Sequence, residues 1–232
     1  MKLPKVSIVT ISLNAARYIE TTIKGVLRQQ YPDIEYIIID GNSTDGTQEI
    51  IERYSQQLDY FISEPDDGIS SAFNKGICRA KGELIGIINS GDWYEPDAVK
   101  NVVLNYLKAP RHDVYYGQTA YMNEGSVTAL LPASAAHFLL PKNMYTPHPS
   151  VFVTRKAYVR YGLFDTGYKI SMDYEWLLRA TVNGASFKFI NARLANYQGG
   201  GISETLYNKG LEECGRARTE FGIADVLQDN QL

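Results

Sequence analysis

The chain has 232 residues, of which 44% are hydrophobic and 21% charged, a composition typical of a globular protein that buries a substantial core. Its net charge of -3 excludes the strongly basic surface that nucleic-acid-binding proteins need, so no nucleic-acid partner is expected. The N-terminus lacks the apolar region of a secretory signal, and no apolar run of about 18 residues could span a membrane, so a cytoplasmic protein is expected. Cys78 and Cys214 form no C-x-x-C motif, which fits reduced thiols in that compartment.

Strands and helices alternate through the first half of the chain. Short β-branched apolar runs predict buried strands, and apolar residues at helical spacing predict the helices between them. The predicted strands are residues 6–11, 34–39, 58–62 and 84–88. The predicted helices are residues 15–30, a helix capped by Thr44 or Asp45, residues 70–80 and residues 96–108. This alternation predicts βαβ units in an α/β fold, with a mostly parallel central sheet and helices on both faces.

The second half has a mixed pattern. A hairpin is predicted from residues 115–121 and 126–131 around Asn123-Glu124-Gly125. Further predicted strands are residues 150–154, 187–190 and 194–198, and the predicted helices are residues 172–183 and 203–221. No linker rich in Pro or Gly separates the halves, so residues 1–232 are predicted to form a single domain. Its parts are a parallel α/β half at about 1–110, a mixed half at about 111–205, and a C-terminal helix and tail at about 206–232.

Polar side chains follow four consecutive predicted strands at the point where each strand ends. They are Asn14, Asp40, Asp66, Asn89 and Asp92. Ligands of open α/β sheets bind outside the carboxyl ends of the strands, so these side chains predict a binding site at that edge. Loop polarity and helix capping remain the alternative, above all for Asp45.

Two common nucleotide-binding motifs are absent. The sequence has neither the G-x-G-x-x-G of dinucleotide-binding folds nor the G-x-x-x-x-G-K-[ST] of P-loop enzymes. A nucleotide site here would need a carboxylate on the base and a divalent cation on the diphosphate. Mg²⁺ and Mn²⁺ take oxygen ligands, often one or two carboxylates plus phosphate oxygens, and Asp92 suits that role.

A set of short motifs occurs in a fixed order along the chain. They are KVSIVTISLN at 5–14, IIIDGNSTDGT at 37–47, SEPDDGI at 63–69, NKGI at 74–77, AKGE at 80–83, INSGDWY at 88–94, HPS at 148–150, GLFD at 162–165, DYEWLLR at 173–179 and GGIS at 200–203. Over about residues 5–205 this ordered set resembles family 2 glycosyltransferases of the GT-A fold. The resemblance is greatest to the branch that builds bacterial surface polysaccharides and lipopolysaccharide.

The resemblance implies a site for a nucleotide-diphosphate sugar donor in the first half. It places Asp40 on the base or ribose, Asp66 beside a uracil-type base, and Asp92 on a Mg²⁺ or Mn²⁺ ion that bridges both phosphates. Lys75 is expected either to touch a phosphate or to be an ordinary solvated lysine. The residues assigned to the donor are Ile11, Ser12, Leu13, Asn14, Asp40, Asp66, Asn74, Lys75, Asn89, Ser90 and Gly91.

The resemblance also implies an inverting transfer, in which Asp173 is the general base that deprotonates the acceptor hydroxyl. The residues placed on the acceptor side are His148, Glu175, Trp176 and Arg179. Positions two apart on a helix do not share a face, so only one of Asp173 and Glu175 should face the cleft, and Asp173 is preferred. Trp176 is expected either to stack on a sugar ring or to pack in the core.

The chain departs from the family pattern at several positions. Gly41 stands where many members have a second acidic residue, and Phe73 stands where an Arg is frequent. Asn89 and Gly91 leave Asp92 as the only acid of the metal motif. These departures leave the nucleotide base and the tightness of metal binding open.

The expected acceptor is a glycan or a lipid-linked sugar in the synthesis of cell-surface polysaccharide or lipopolysaccharide. A lipid-linked acceptor would bring the protein to the inner face of the membrane as a peripheral protein, and a homodimer is also compatible with the sequence. The main alternative is a non-catalytic nucleotide-sugar binding or scaffold subunit, which the reduced metal motif suggests. A nucleotidyltransferase is less consistent, because residues 12–18 are not a Gly-rich, basic phosphate loop.

Overall fold

The computed structural model describes residues 3–123 and 125–223. Its strands are β1 (Val6–Ser12), β2 (Ile34–Asp40), β3 (Tyr60–Ser63), β4 (Leu84–Asn89), β5 (Trp93–Tyr94), β6 (Val114–Asn123), β7 (Ser126–Leu131), β8 (Val151–Thr154) and β9 (Phe187–Gln198). Its α-helices are α1 (Ile19–Leu27), α2 (Thr47–Glu52), α3 (Ile69–Arg79), α4 (Ala98–Lys108), α5 (Arg155–Tyr161), α6 (Met172–Val182), α7 (Ile202–Thr205) and α8 (Tyr207–Glu220). Short 3₁₀ helices lie at Ser55–Gln57, His137–Leu139 and His148–Ser150.

All nine strands of the described residues join one sheet. Their order is β3-β2-β1-β4-β8-β6-β9-β5, and β7 pairs with β6. The strands β3, β2, β1 and β4 are parallel to one another. The strand β8 is antiparallel to β4 and β6, whereas β9 runs parallel to β6. The predicted fold class is confirmed, since a parallel first half is followed by a mixed second half in the same sheet.

The central strands are buried on both faces. Val9 of β1 packs into a core that contains Phe73 of α3 and Trp176 of α6. Its neighbour Ile8 packs on the opposite face, in a core that contains Ile23 of α1 and Val102 of α4. Consecutive strand residues point to opposite faces, so a strand covered on both sides needs a continuous apolar run instead of alternation. The Ile-rich runs in the sequence therefore correspond to a sheet with helices on both faces.

One buried carboxylate ties together the ends of three parallel strands. Asp40, the last residue of β2, has a relative exposure of 0%. It accepts hydrogen bonds from the hydroxyls of Ser12 at the end of β1 (2.8 Å) and Ser63 at the end of β3 (2.6 Å). The hydroxyl and the backbone N–H of Ser43 also donate to Asp40, at 2.6 and 2.8 Å. These donors compensate the cost of burying the charge, and they fix the strand ends relative to one another.

Helix α1 begins at Ile19, whereas the sequence predicted a helix from residue 15. The backbone N–H of Ala15 donates to Thr47 Oγ1 at 2.8 Å, and the N–H of Ala16 donates to Asp45 Oδ2 at 3.0 Å. The segment before α1 is therefore a turn that binds the loop before α2, and the helix starts only after it. The N-cap of α2 is Gly46, so the prediction of Thr44 or Asp45 as the cap is wrong; the carboxylate of Asp45 instead accepts the N–H of Thr47 (3.1 Å) in the turn before the helix.

Two further predictions about the second half are wrong. The segments 187–190 and 194–198 belong to a single strand, β9, which keeps its pairing with β6 across register shifts near Gln118. The predicted helix over 203–221 is two helices, because Leu206 leaves the helical conformation between α7 and α8. The predicted turn residue Glu124 and the predicted tail 224–232 lie outside the described residues.

Neither membrane crossing nor disulfide bonding is seen in the described part of the chain. No helix within 3–123 or 125–223 has both the length and the hydrophobicity to cross a bilayer. Cys78 and Cys214 are both free thiols.

Gly76 of α3 packs against β1 with no space for a side chain. A Cβ at this position would clash with Cγ1 of Val9. We expect Gly76→Ala to destabilise the protein by about 1–3 kcal/mol, because the core would be overpacked. Gly215→Ala on α8 is the matched control, since no atom of the described residues lies within 4 Å of its Cβ position. We expect the control to gain about 0.5–1 kcal/mol from helix propensity. Urea unfolding measures both, and equal stabilities would contradict the close approach.

Replacing the buried carboxylate tests the connection between the three strand ends. Asp40→Asn keeps the size of the side chain but presents an NH₂ group to hydroxyl and N–H donors. We expect a loss of roughly 2–4 kcal/mol in the free energy of unfolding, because buried hydrogen bonds to a charged group are lost. Asp67→Asn, at an exposed loop position, should stay within about 0.5 kcal/mol of the original chain. A loss below about 1 kcal/mol for Asp40→Asn in urea unfolding would show that the contact is dispensable.

Candidate active site

The loops after β1 and β2 meet above the strand ends. Leu13 is 63% exposed there, and Asn14 adopts a left-handed conformation with φ +49°. The side-chain oxygen of Asn14 accepts the backbone N–H of Thr44 at 3.0 Å. A Cβ on Gly41 would lie 3.3 Å from Leu13 Cδ1 and 3.5 Å from Asp66 Oδ2. Gly41 therefore lies in close contact with Leu13 and Asp66, where a side chain would be crowded.

Lys75 is held by two carboxylates. Its ammonium lies 2.5 Å from Asp66 Oδ1 and 2.7 Å from Glu64 Oε1. Hydrogen bonds to Asp66 and Glu64 raise the pKa of Lys75 above its usual value. The Lys75 charge is thus compensated by protein groups, and a contact with a phosphate would require Lys75 to exchange one of them.

Asn74 connects α3 to the segment that precedes α6. Its NH₂ group donates to the backbone oxygen of Phe164 at 2.8 Å, and its side-chain oxygen accepts the N–H of Phe164 at 2.9 Å. This pair of bonds uses both ends of the amide. The predicted donor residues Asp40 and Asn74 therefore have structural hydrogen bonds already, and their direct contact with a donor stays a prediction.

Asp92 has a buried carboxylate with little compensation. Only 3% of the residue is exposed, and its Oδ1 accepts one hydrogen bond, from the backbone N–H of Gln198 at 2.9 Å. Burial raises the pKa of the Asp92 carboxyl to about 8, and the hydrogen bond from Gln198 only partly opposes that shift. Gly91, with φ +107°, shapes the turn and donates its N–H to Thr22 Oγ1 at 2.9 Å. A carboxylate in this state favours a cation, or a proton, beside it.

The neighbours of Asp92 bear on metal binding. Ser90 donates to the backbone oxygen of Ile11 (2.7 Å), which joins this turn to the end of β1. The side-chain oxygen of Asn89 is buried without a hydrogen-bond partner among the described residues. Within 3–123 and 125–223 no cluster of three or more His, Cys, Asp or Glu side chains could hold a metal ion. The turn therefore fits a Mg²⁺ or Mn²⁺ ion held through one carboxylate and one amide oxygen, with phosphate oxygens as the other ligands.

Asp173 stands on the first turn of α6 next to His148. Both residues line a cavity of about 10 Å³, room for roughly one water molecule. The His148 ring stacks on Phe73 with ring centroids 5.3 Å apart, and its Nε2 is buried without a partner among the described residues. Burial lowers the pKa of His148, and the Asp173 carboxylate opposes that shift. The His148 imidazole and the Asp173 carboxylate thus lie at the same small cavity.

Trp176 packs in the core and cannot stack on a sugar. Its relative exposure is 1%, and its ring lies against Tyr158 and Phe164 at centroid distances of 5.0 and 6.3 Å. Its indole N–H donates to the backbone oxygen of Gly162 at 2.7 Å. The placement of Trp176 on the acceptor side is wrong, and the alternative of a core residue is correct.

Glu175 and Arg179 form a buried brace. Glu175 is 3% exposed, and its Oε1 accepts the Nε–H of Arg179 at 2.7 Å. Arg179 also donates to the backbone oxygens of Tyr161 and Leu163. The pair fixes α6 to the end of α5, so Glu175 and Arg179 already have structural partners, and their contact with an acceptor stays a prediction. With Glu175 turned inward, Asp173 is the acid of the pair that lies beside His148.

Sequence reasoning missed a carboxylate that fixes the start of α6. Glu213 of α8 accepts the backbone N–H groups of Lys169, Ile170 and Ser171, each at 2.9 Å. Burial raises the pKa of Glu213, but these three donors outweigh it and the net pKa is lowered. The sequence shows only one acid among many on a polar helix. Nothing in its spacing indicates three N–H donors more than 40 residues earlier.

A pair of tyrosines was also missed. Tyr121 of β6 and Tyr197 of β9 are partners in the register of the two strands, and their ring centroids lie 5.3 Å apart. Burial raises the pKa of the Tyr121 hydroxyl, and the carboxylates of Asp173 and Asp92 add to the shift. Tyr121 therefore lies near both candidate carboxylates.

Comparison with known proteins independently supports the resemblance to family 2 glycosyltransferases. A family model described as Glycosyl transferase family 2 matches residues 7–166. An uncharacterised glycosyltransferase of Mycobacterium tuberculosis is 32% identical over 183 residues, which cover 77% of this chain and 70% of the relative. The chondroitin synthase of Pasteurella multocida is 30% identical over 195 residues, which cover 82% of this chain and 20% of the synthase.

Two solved structures share the fold. Staphylococcus aureus TarS 1-349 in complex with UDP superposes with a TM-score of 0.72 at 18% identity, covering 94% of this chain and 65% of that chain. The mannosyltransferase PcManGT from Pyrobaculum calidifontis, in complex with GDP-Man and Mn²⁺, has a TM-score of 0.67 at 18% identity, covering 85% of this chain and 57% of that chain. This chain therefore spans less than two thirds of either protein. Fold, motifs and matched residues agree: the chain belongs to glycosyl transferase family 2 and has the GT-A fold.

Proposed function

We propose that this chain is an inverting glycosyltransferase, which moves a sugar from a nucleotide-diphosphate sugar to an acceptor hydroxyl. The observation that carries the proposal is the placement of two carboxylates: Asp92 follows the parallel strand β4 and accepts the N–H of Gln198 on β9, and Asp173 lies on the first turn of α6. They come from opposite halves of the chain, and both add to the raised pKa of the Tyr121 hydroxyl. Asp92 is available for the leaving diphosphate, and Asp173 is available for the acceptor hydroxyl.

The donor side is the edge of the parallel strands. TarS was solved with UDP and PcManGT with GDP-Man, which supports a nucleotide-sugar donor for this chain and leaves its base open. We place the base beside the exposed Leu13 and Asp66, where Gly41 brings the loops after β1 and β2 close together. The fixed turns after β1 and β2 would hold the nucleotide in one orientation.

We assign a Mg²⁺ or Mn²⁺ ion to Asp92, with the unpartnered oxygen of Asn89 in the same turn. The Mn²⁺ in the PcManGT complex supports this assignment. When bound, the cation would neutralise charge that develops on the diphosphate as the glycosidic bond breaks. The Gln198 N–H holds the carboxylate in one orientation before the donor arrives.

Asp173 is proposed to take the proton of the acceptor hydroxyl. Its position on the first turn of α6 is fixed by the Glu175–Arg179 brace and by Glu213. The unpartnered Nε2 of His148 lies at the same cavity and can orient the acceptor hydroxyl or a water. A base on the side of the sugar opposite the diphosphate gives inversion in a single displacement.

The biological setting is proposed from the relatives. One of them is named a chondroitin synthase, so we place this chain in the synthesis of surface polysaccharide or lipopolysaccharide. The acceptor would be a glycan or a lipid-linked sugar at the inner face of the membrane. Peripheral membrane contact and a homodimer stay predictions. A non-catalytic binding subunit is the second candidate, because Asp92 is the only acid of its turn.

Substitution of the proposed base separates these candidates. Asp173→Asn removes the proton acceptor and keeps the shape, so we expect sugar transfer to fall by about 10²–10⁴-fold. Donor binding should be unchanged, since Asp173 lies outside the nucleotide edge. Release of nucleoside diphosphate measures transfer, with the donor that stabilises the protein most in a thermal-shift screen of UDP- and GDP-sugars. Glu212→Gln, an exposed acid on α8, is the control and should keep full activity. Near-normal transfer by Asp173→Asn would exclude this residue as the base, and binding without turnover by the original chain would favour the scaffold role.

The cation assignment predicts a metal-dependent thermal shift. UDP with Mn²⁺ should raise the melting temperature more than UDP alone, by several degrees when Mn²⁺ is in large excess over its dissociation constant, roughly 2–3 kcal/mol of stabilisation. EDTA should remove the added shift. Asp92→Asn should lose the Mn²⁺ increment while Asp67→Asn keeps it. An equal shift with and without Mn²⁺ in the original chain would contradict the cation role of Asp92.

A further inference from the structure

A groove lies beside the candidate site and is not used by the residues assigned so far. It has a volume of about 420 Å³ and runs between the end of β6, the start of β7 and the segment from Gly199 to Glu204. Its walls include the half-buried rings of Tyr121 and Tyr197. The volume falls within the range of small-molecule sites, about 300–1,000 Å³.

The strand register places this groove next to the reaction centre. Tyr121 pairs with Tyr197, and the next pair is Met122 with Gln198, whose backbone N–H donates to Asp92. The groove therefore begins one residue from Gln198, the hydrogen-bond partner of the proposed cation ligand Asp92.

The position in the sheet argues against a nucleotide as the occupant. The strands β4 and β8 lie between the β3-β2-β1 edge, with its Asp40 and Asp66 ends, and the pair β6 and β9. Four strands, β2, β1, β4 and β8, thus separate β3, which Asp66 follows, from the tyrosine strands β6 and β9. The groove belongs to the acceptor side of Asp92.

The chemistry of the walls matches a sugar. A pyranose has an apolar C–H face that packs on aromatic rings and a rim of hydroxyls that needs polar partners. Here Glu204 supplies a carboxylate, with Oε1 3.4 Å from the Tyr197 hydroxyl and Oε2 accepting the N–H of Gly200 at 2.9 Å. Asn123 and Thr128 are exposed polar residues along the same walls.

We propose that the groove formed by Tyr121, Tyr197 and Glu204 binds a sugar residue of the acceptor, with its ring stacked on the tyrosines. The inference rests on the proposed function and deepens it, because it names the surface that recognises the acceptor. The two tyrosines stand on the paired strands β6 and β9, so the aromatic wall of the subsite is positioned by the sheet.

Saturation-transfer NMR tests the groove directly. The probes are methyl β-D-glucopyranoside, methyl β-D-galactopyranoside and methyl N-acetyl-β-D-glucosaminide, each with the full chain and no donor. We expect transfer to the ring C–H protons of at least one probe. The signal should fall by about 5-fold in Tyr121→Ala and Tyr197→Ala, through loss of the aromatic contact. Val127→Ala is the control, since this exposed side chain lies on the same hairpin outside the groove, and it should keep the signal.

A second measurement separates this inference from the donor assignment. The thermal shift with UDP and Mn²⁺ should be unchanged in both tyrosine variants. Undiminished saturation transfer in these variants, or no transfer from any probe to the original chain, would overturn the acceptor subsite. If the tyrosine variants lost the UDP shift but kept the sugar signals, the groove would belong to the donor. That result would also overturn the acceptor subsite. An original chain that shows no UDP shift would instead contradict the proposed function.

Discussion

The hydrogen bonds to Asp40 are the contact on which the donor edge depends. A carboxylate with 0% exposure is tolerated only because three serines donate to it, and these serines come from the ends of β1 and β3 and from the loop after β2. The loops that carry Leu13, Asn14 and Asp66 start from these strand ends. The positions of these loops therefore depend on the buried carboxylate of Asp40.

The acids of the site divide into two kinds. Asp40 and Glu175 accept several protein donors, and Asp66 is paired with Lys75, so these acids hold elements in place. By contrast, Asp92 accepts one backbone N–H from another element, and Asp173 accepts only the N–H of its own neighbour Tyr174 among the described contacts. Asp92 and Asp173, which have few partners, are the acids suited to a ligand. The paired acids support their orientation.

The sequence predicted the parallel half well, because strands buried on both faces produce apolar runs and polar residues then mark the strand ends. The motif resemblance also predicted that Asp92 and Asp173 belong to one site. The sequence could not orient α6, where Tyr174, Trp176 and Leu178 are all buried, so helical periodicity gives no preferred face. Tyr121 and Tyr197 are 76 positions apart in the sequence. Their pairing depends on the register of β6 and β9, which no local pattern encodes.

The contact between Glu213 and the segment before α6 has a consequence for Asp173. Three backbone N–H groups at the start of α6 converge on one side chain of α8. The position of Asp173, on the first turn of α6, is therefore held by a helix more than 30 positions later in the sequence. A substitution in α8 can displace Asp173 while the hydrogen bonds of Asp40 at the parallel strand ends stay intact.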